Sequence, residues 1–281
     1  MNLKEGLEYI QENLLEVYPL EETLSMANIV LESVIADYKI KRITEPHTLI
    51  SEKKKKTIED YITQLLEGKP LQYVIGHTEF YNSRILLNND VLIPRPETEE
   101  LVHWILESEK DIESILDVGT GSGCIPIAIK LERPEIECSA IDISKKALEL
   151  SAKNAKLNKV EIDFLYDDIL KPKKNYKKYS LIVSNPPYVR ESEKESMHAN
   201  VLDYEPTSAL FVPNENPLVF YRAVLNFSKA HLFPNGKVYF EINEFLSQEM
   251  FELFEQHKFS NVELKNDING KARMMKAIYS Q

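Results

Sequence analysis

From Glu97 to the C-terminus, short apolar segments alternate with longer segments of helical periodicity. The apolar segments read ESILDVG, IECSAID, EIDFLYD, YSLIVSN and GKVYFEIN, and the helical ones include SKKALELSAKNAKLN and PLVFYRAVLNFSKAHL. Strands that are separated by helices form βαβ units, which build a mostly parallel sheet with helices on both faces. The pattern therefore predicts a Rossmann-like α/β fold for this part of the chain.

The C-terminal end departs from this alternation. The segments NVELKN and RMMKAIYS have strand character, and only DINGKA separates them. Six residues are too few for a parallel crossover, so these two strands must pair antiparallel. The fold class that follows is a seven-stranded, mostly parallel sheet with a C-terminal antiparallel hairpin.

The first 75 residues have helical periodicity throughout. One run ends at Pro19, a second follows it, and a third begins after Ser51, a plausible N-cap, and stops near Gly68. We therefore predict a small all-α domain over residues 1–75. Residues 76–94 carry β-rich segments on either side of Asn88-Asn89-Asp90 and predict a β-hairpin connector that turns at this trio. The sheet domain then spans residues 95–281.

Composition excludes several classes of protein. The net charge of −11 disfavours a chain whose affinity comes from neutralising phosphates, so we expect no direct nucleic-acid readout. No apolar stretch approaches the ~20 residues that a membrane span needs, and we expect a cytoplasmic protein without a membrane contact. Cys124 and Cys138 lack CxxC spacing and the six histidines are scattered, so no metal site is predicted.

Glycine is scarce but clustered. Three of the eight glycines, Gly119, Gly121 and Gly123, fall in LDVGTGSGC, directly after a predicted buried strand. Such a cluster indicates a tight turn that lets a ligand approach the backbone. Because Cys124 stands where the GxGxxG fingerprint requires its last glycine, a nicotinamide or flavin enzyme is disfavoured.

Acidic residues follow at the ends of successive strands. Asp142 ends the second strand, where a carboxylate can accept both hydrogen bonds of a ribose diol. Asp168 follows the third strand and could accept from the exocyclic amine of adenine. Asp117 precedes the glycine loop and could meet an ammonium group directly or through its neighbours. Together these acids favour a nucleoside site over three separate helix caps.

The fourth strand ends in Asn185-Pro186-Pro187-Tyr188. Both Asn185 and Pro186 precede a proline, which forces them into extended conformations, and neither proline has an N–H. The turn is therefore stiff and rich in carbonyl acceptors. The Asn185 side-chain oxygen and the Pro186 carbonyl could each accept one N–H of a planar –NH2 group, with Tyr188 as an aromatic wall.

These features resemble known families at two levels. The glycine loop, the acid after the second strand and the terminal hairpin resemble a class I S-adenosylmethionine-dependent methyltransferase. The further motifs narrow the resemblance to the HemK/PrmC family, whose members methylate the glutamine of the GGQ motif in class 1 peptide chain release factors. Those motifs are LIPRPETEELV, ILDVGTGSG, IVSNPPYV and YEPTSALF.

The resemblance implies roles for individual residues. It assigns Asn185 to both ligands and Pro186, Pro187 and Tyr188 to the substrate glutamine, with Asn185, Pro186 and Tyr188 as the catalytic residues. It assigns Gly119, Thr120, Gly121, Ser122, Gly123 and Asp142 to S-adenosylmethionine. Asp168 and Ile169, after the third strand, complete the predicted cofactor site, although relatives can carry an aromatic residue where Ile169 stands. Glu241, in FEIN, is left as a helper without a defined role, because some relatives carry a glycine after this acid.

Three alternatives stay open at this point. A ribosomal protein could offer the glutamine instead of a release factor. A DNA adenine N6-methyltransferase uses the same NPPY chemistry, although residues 1–75, with nine Lys or Arg against thirteen Asp or Glu, form no basic recognition surface. A non-enzymatic adapter would have no need of the acceptors after the fourth strand.

Overall fold

The computed structural model describes residues 1–279, which form two compact units. One unit comprises Met1–Gly76 with His198–Tyr204, and the other comprises His77–Met197 and the chain from Glu205 onward. No helix within the described residues is long and apolar enough to cross a membrane.

The helices, in chain order, are α1 (Leu3–Leu14), α2 (Leu20–Val34), α3 (Tyr38–Thr44), α4 (Glu52–Leu66), α5 (Leu71–Ile75), α6 (Pro96–Ser108), α7 (Cys124–Glu132), α8 (Lys145–Leu157), α9 (Ala199–Tyr204), α10 (Thr207–Leu210), α11 (Val219–His231) and α12 (Ser247–Gln256). The strands are β1 (His77–Phe80), β2 (Ser83–Leu86), β3 (Ser114–Val118), β4 (Glu137–Asp142), β5 (Asp163–Tyr166), β6 (Tyr179–Ser184), β7 (Val189–Arg190), β8 (Phe211–Val212), β9 (Leu232–Glu241), β10 (Phe259–Asn266) and β11 (Ala272–Tyr279). Two 3₁₀ turns cover Glu191–Ser196 and Glu244–Leu246.

The first unit is all-helical, as the sequence predicts. A capping box between Asn2 and Glu5 starts α1, and the apolar faces of α1, α2 and α4 form a buried core. The short helices α3 and α5 escape prediction because seven and five residues are too few to show a helical period. Helix α9 joins this unit although the sequence places it in the sheet domain; the Tyr204 hydroxyl donates to the Glu67 carbonyl at 3.0 Å.

The second unit is built on one seven-stranded sheet. Its strand order is β10-β11-β9-β6-β3-β4-β5, in which β10, β11 and β9 pair antiparallel and the remaining pairs are parallel. The predicted fold class is therefore confirmed. The side chains of the central strands are buried, since helices cover the sheet. The carboxyl ends of β3, β4, β5, β6 and β9 meet along one edge, where ligand sites of α/β sheets form.

The hairpin after the first unit does not turn where the sequence predicts. Strands β1 and β2 pair through the two-residue turn Tyr81-Asn82, both with positive φ, at 41° and 63°. Two such residues make the type I′ turn that matches the twist of a tight hairpin. The predicted position of the hairpin turn at Asn88-Asn89-Asp90 is wrong: this trio forms a local turn beyond β2, in which Asn88 Oδ1 accepts from the Asp90 backbone N–H at 3.0 Å.

Candidate functional site

A cavity of ≈ 330 Å³ lies at the carboxyl edge of the sheet, entirely within the second unit. The loops that follow β3, β4, β5 and β6 form its walls, together with residues of segments 90–98 and 206–209 and of α11. The motif segments LIPRPETEELV and YEPTSALF, far apart in sequence, therefore meet the glycine loop and NPPY at one cavity. The sequence predicts a nucleoside site at this edge of the sheet, and the cavity lies there.

Four of the five residues predicted in the glycine loop line the cavity, namely Gly119, Thr120, Gly121 and Ser122. The backbone N–H groups of Gly119 and Thr120 donate to the Ile141 carbonyl and hold the loop against β4. Gly119 and Gly121 have positive φ, 76° and 54°, and no atom lies within 4 Å of where a Cβ would stand on either. Because neither glycine has a side chain, the space beside the backbone at these two positions is open.

Gly123 lies outside the cavity lining and serves a different need. It precedes α7 with φ of 81°, and a Cβ built on it would stand 3.1 Å from the Ser151 Cβ. This close approach packs the loop against α8. A contact of Gly123 with the cofactor stays a prediction, since what the structure shows for this residue is packing.

Asp142 lies at the end of β4 and lines the cavity. Its Oδ2 accepts from the Gly121 N–H and its Oδ1 from the Ser144 N–H, both at 2.8 Å. Burial raises the pKa of Asp142, and these backbone donors act in the opposite direction. Because each carboxylate oxygen has a second acceptor position, the side chain can still accept two hydroxyl donors.

Asp168 and Ile169 also line the cavity, after β5. Asp168 Oδ1 accepts from the Leu170 N–H at 2.9 Å, and Ile169 packs on the core of the sheet. The preceding acid, Asp167, is mainly structural, since it accepts from three backbone N–H groups (one of them through both oxygens) and from the Tyr176 hydroxyl. It closes the lysine-rich loop that follows β5.

Asp117 is fully buried and does not line the cavity, so it cannot meet a ligand directly in this conformation. Both of its carboxylate oxygens and Thr120 Oγ1 are buried without a hydrogen-bond partner in the described part of the chain. Burial raises the pKa of Asp117 to about 7, the negative charge of Asp142 adds to this, and the nearby Thr120 hydroxyl acts against it. The pKa of this acid therefore lies far above that of an ordinary aspartate.

Substituting Asp117→Asn should make the folding stability less dependent on pH. In the native state Asp117 keeps its proton up to about pH 7, whereas in the unfolded chain it loses the proton near its ordinary value of 3.8. The wild type consequently loses stability as pH rises between these two values, by up to about 4 kcal/mol. Urea unfolding at pH 5 and pH 8 measures the free energy of unfolding of both proteins. The value for Asp117→Asn relative to the wild type should be higher at pH 8 than at pH 5. A constant difference between the two proteins would contradict this account.

Asn185 follows β6 and lines the cavity. Its Nδ2 donates to Glu241 Oε2 at 2.9 Å and to Thr98 Oγ1 at 3.1 Å, which uses both of its protons. Its Oδ1 makes no hydrogen bond within residues 1–279 and is not a buried atom. The side chain therefore presents an unused acceptor.

The rest of NPPY divides between the cavity and the core. Pro186 and Pro187 line the cavity, whereas Tyr188 lies behind its wall. The Tyr188 hydroxyl donates to Glu241 Oε1 at 2.9 Å, and its ring packs on the core of the sheet. Burial, and next the charge of Glu241, raise the pKa of Tyr188 well above its usual range, so the phenol stays protonated. A contact of Tyr188 with substrate stays a prediction.

Sequence reasoning missed three polar residues near the site. Thr98 lines the cavity, and its hydroxyl donates to Glu241 Oε2 at 2.6 Å. Arg95 lines it as well, and its Nη2 donates at 2.6 Å to the buried Glu205. All three lie in the quoted motifs LIPRPETEELV and YEPTSALF, which were the signal that could have identified them.

Glu241 ends β9 and is 1% exposed. Burial raises the pKa of its carboxyl, while hydrogen bonds from Thr98 and Tyr188 and the charge of Arg273 act in the opposite direction. Donors lie at both oxygens, with Thr98 and Asn185 at Oε2 and Tyr188 at Oε1. Glu241, to which the sequence assigns no defined role, is thus hydrogen-bonded to Asn185 and Tyr188.

The fold and the site define a class I methyltransferase. The family model described as "Methyltransferase small domain" matches residues 98–205. The crystal structure of a methyltransferase from Pyrococcus furiosus shares the fold, with a TM-score of 0.53 at 15% identity, over 82% of this chain and 100% of that chain.

Closer relatives show the family. A protein from Flavobacterium psychrophilum, named release factor glutamine methyltransferase, is 42% identical over 94% of this chain and 94% of its own. A protein of the same name from Bacteroides thetaiotaomicron is 38% identical over 96% of this chain and 97% of its own. The chain belongs to the release factor glutamine methyltransferase family, which confirms the family predicted from the motifs.

Proposed function

We propose that this enzyme transfers a methyl group from S-adenosylmethionine to the side-chain amide nitrogen of the glutamine in the GGQ motif of class 1 release factors. The names of the relatives support the kind of substrate, and the polar groups of the cavity support the chemistry. The products are N5-methylglutamine and S-adenosylhomocysteine, and the amide nitrogen gives up one of its two protons to solvent. A cytoplasmic location follows from this substrate, because release factors act in translation.

The residues of the cavity fit S-adenosylmethionine. Asp142 retains acceptor capacity for a ribose diol, and the bare backbone of Gly119 and Gly121 leaves space for a close approach. Asp168 Oδ2 accepts no hydrogen bond from residues 1–279, while Ile169 offers an apolar surface for adenine. Arg95 lines the cavity with its Nη2 paired to Glu205, and its other N–H donors suit the methionine carboxylate.

The observation that carries the proposal is the free acceptor of Asn185. A carboxamide –NH2 group offers two N–H donors and needs two acceptors to be held in one orientation. Asn185 Oδ1 is one such acceptor, and the backbone carbonyl of Pro186, in a turn where proline removes the competing N–H, is the second. A glutamine amide bound there would have its nitrogen fixed by both.

Orientation is the main contribution that these residues make to the reaction. When bound, S-adenosylmethionine supplies an electrophilic methyl group on a sulfonium sulfur. An amide nitrogen is a poor nucleophile, and holding it in an aligned geometry can lower the barrier by roughly 7–11 kcal/mol. The acceptors Asn185 Oδ1 and the Pro186 carbonyl also stabilise the positive charge that develops on the nitrogen. No strongly basic side chain is needed beside them.

Labelled S-adenosylmethionine tests the proposal. The purified enzyme is incubated separately with a class 1 release factor, ribosomal proteins and duplex DNA, and the labelled product is identified. We expect label on the release factor and its loss when the GGQ glutamine is replaced by alanine. Label on ribosomal protein or DNA would assign the enzyme to one of the alternative substrates, and label on none would refute the proposed activity.

A further inference from the structure

Thr98, Asn185, Tyr188 and Glu241 form one hydrogen-bonded cluster, here called the Glu241 network. Its members come from α6, from the turn after β6 and from the end of β9. Four contacts join them: Thr98 Oγ1 to Glu241 Oε2 at 2.6 Å, Asn185 Nδ2 to Glu241 Oε2 at 2.9 Å and to Thr98 Oγ1 at 3.1 Å, and the Tyr188 hydroxyl to Glu241 Oε1 at 2.9 Å.

With Glu241 ionised, the protons of the network can be placed in only one way. Thr98 has a single hydroxyl proton, and the short contact to the Glu241 carboxylate uses it, so Thr98 Oγ1 can only accept from Asn185. Asn185 Nδ2 then gives one proton to Thr98 and one to Glu241. Each donor has an acceptor, and each contact has a proton.

A flipped Asn185 amide does not fit this network. It would set Oδ1 against the Glu241 oxygen at hydrogen-bond distance with no proton between the two acceptors. The unpaired contact would lie beside a carboxylate that is 1% exposed, where water cannot relieve it. The amide is therefore held with its oxygen toward the cavity.

We infer that Glu241 and Thr98 are the positioning residues that make Asn185 a hydrogen-bond acceptor for the substrate amide. This inference rests on the proposed function and extends it to substrate choice. A fixed acceptor at this position favours a side chain that carries N–H donors and repels one that carries an oxygen anion. The network thus selects glutamine over glutamate at the reacting position. Glu241 Oε1 also accepts from the Tyr188 hydroxyl, and a glutamine at position 241 keeps an oxygen for this contact, so Glu241→Gln tests the Asn185 side of the network.

Isosteric substitutions test this role. Glu241→Gln keeps the shape but brings its own N–H donors, which allows the Asn185 amide to turn its nitrogen toward the cavity. We expect the single-turnover rate of methyl transfer to fall about 10-fold, with the affinity for S-adenosylmethionine unchanged. Thr98→Val should act in the same direction, and Thr98→Ser, which keeps the hydroxyl, should restore the rate.

The discrimination between glutamine and glutamate peptides distinguishes the two roles that Glu241 could have. A merely structural role would leave this discrimination unchanged. The competitor is a GGE peptide, in which glutamate replaces the glutamine of the GGQ peptide. It should compete poorly for the wild type, and the ratio of its affinity to that of the GGQ peptide should rise about 10-fold in Glu241→Gln. In an Asn185→Ala background, Glu241→Gln should cost no more than about a further twofold, because it acts through Asn185.

The outcomes separate the inference from the proposed function. A wild type that transfers no methyl group to release factor would refute the proposed function itself. If the wild type is active, unchanged discrimination in Glu241→Gln, a full additional loss in the Asn185→Ala background, or weakened cofactor affinity would each overturn the inference. If Glu241→Gln does not fold, the same rate and competition measurements on Thr98→Val and Thr98→Ser test the inference instead.

Discussion

Replacing Asn185 with alanine is expected to remove most methyl transfer while the protein still binds S-adenosylmethionine. The substitution deletes the acceptor oxygen that lines the cavity and leaves one N–H of the substrate amide unpaired in a desolvated site. The loss of one such hydrogen bond costs about 1–3 kcal/mol, so the single-turnover rate should fall about 5- to 150-fold. Calorimetric titration with the cofactor should give a dissociation constant close to that of the wild type.

The matched control for this variant is Asn158→Ala. Asn158 also uses its side-chain amide for structural hydrogen bonds, to Arg84 and Asn154, and it lies outside the cavity lining. It should change stability and leave the transfer rate intact. An Asn185→Ala enzyme with wild-type turnover would exclude Asn185 as the acceptor.

The largest effect on cofactor affinity is expected from Asp142→Ala. This change removes the carboxylate that accepts from the Gly121 and Ser144 backbones and, in our proposal, from the ribose diol. Hydrogen bonds to a charged group are worth about 1.5–3 kcal/mol each, so the loss of two to the ribose would weaken binding roughly 10²- to 10⁴-fold. Equilibrium binding of S-adenosylmethionine measures this directly.

Two comparisons sharpen the Asp142 result. Asp142→Asn keeps the shape and part of the acceptor capacity, so its affinity should fall between those of the wild type and Asp142→Ala. Asp163→Ala removes an exposed acid from the start of β5 and controls for the change in net charge. If Asp142→Ala binds the cofactor as tightly as Asp163→Ala does, the ribose contact does not exist.

The sequence predicts those parts of the fold and site that depend on local patterns. Strand and helix alternation gives the sheet, and the short DINGKA link requires the antiparallel end. The carboxyl ends of parallel strands share one edge, so Gly121, Asp142, Asp168 and Asn185 could be placed together before any coordinates.

The parts that sequence reasoning missed depend on contacts between distant residues. Thr98 and Glu241 lie 143 positions apart, and only the packing of α6 against the end of β9 brings their side chains together. Helix α9 is six residues long and has no period that would assign it to the first unit. Sequence patterns place the hairpin turn wrongly because Asn88-Asn89-Asp90 has stronger turn propensity than Tyr81-Asn82, whereas the pairing of β1 with β2 requires the turn at Tyr81-Asn82.

The position of the methyl group on the product tests the central claim most directly. Release factor treated with the enzyme and S-adenosylmethionine is digested, and tandem mass spectrometry of the GGQ peptide locates the added mass. We predict a single methyl group on the side-chain nitrogen of the GGQ glutamine, formed by the wild type and strongly reduced with Asn185→Ala. A methyl group on another residue, on the backbone or on no peptide would contradict the account.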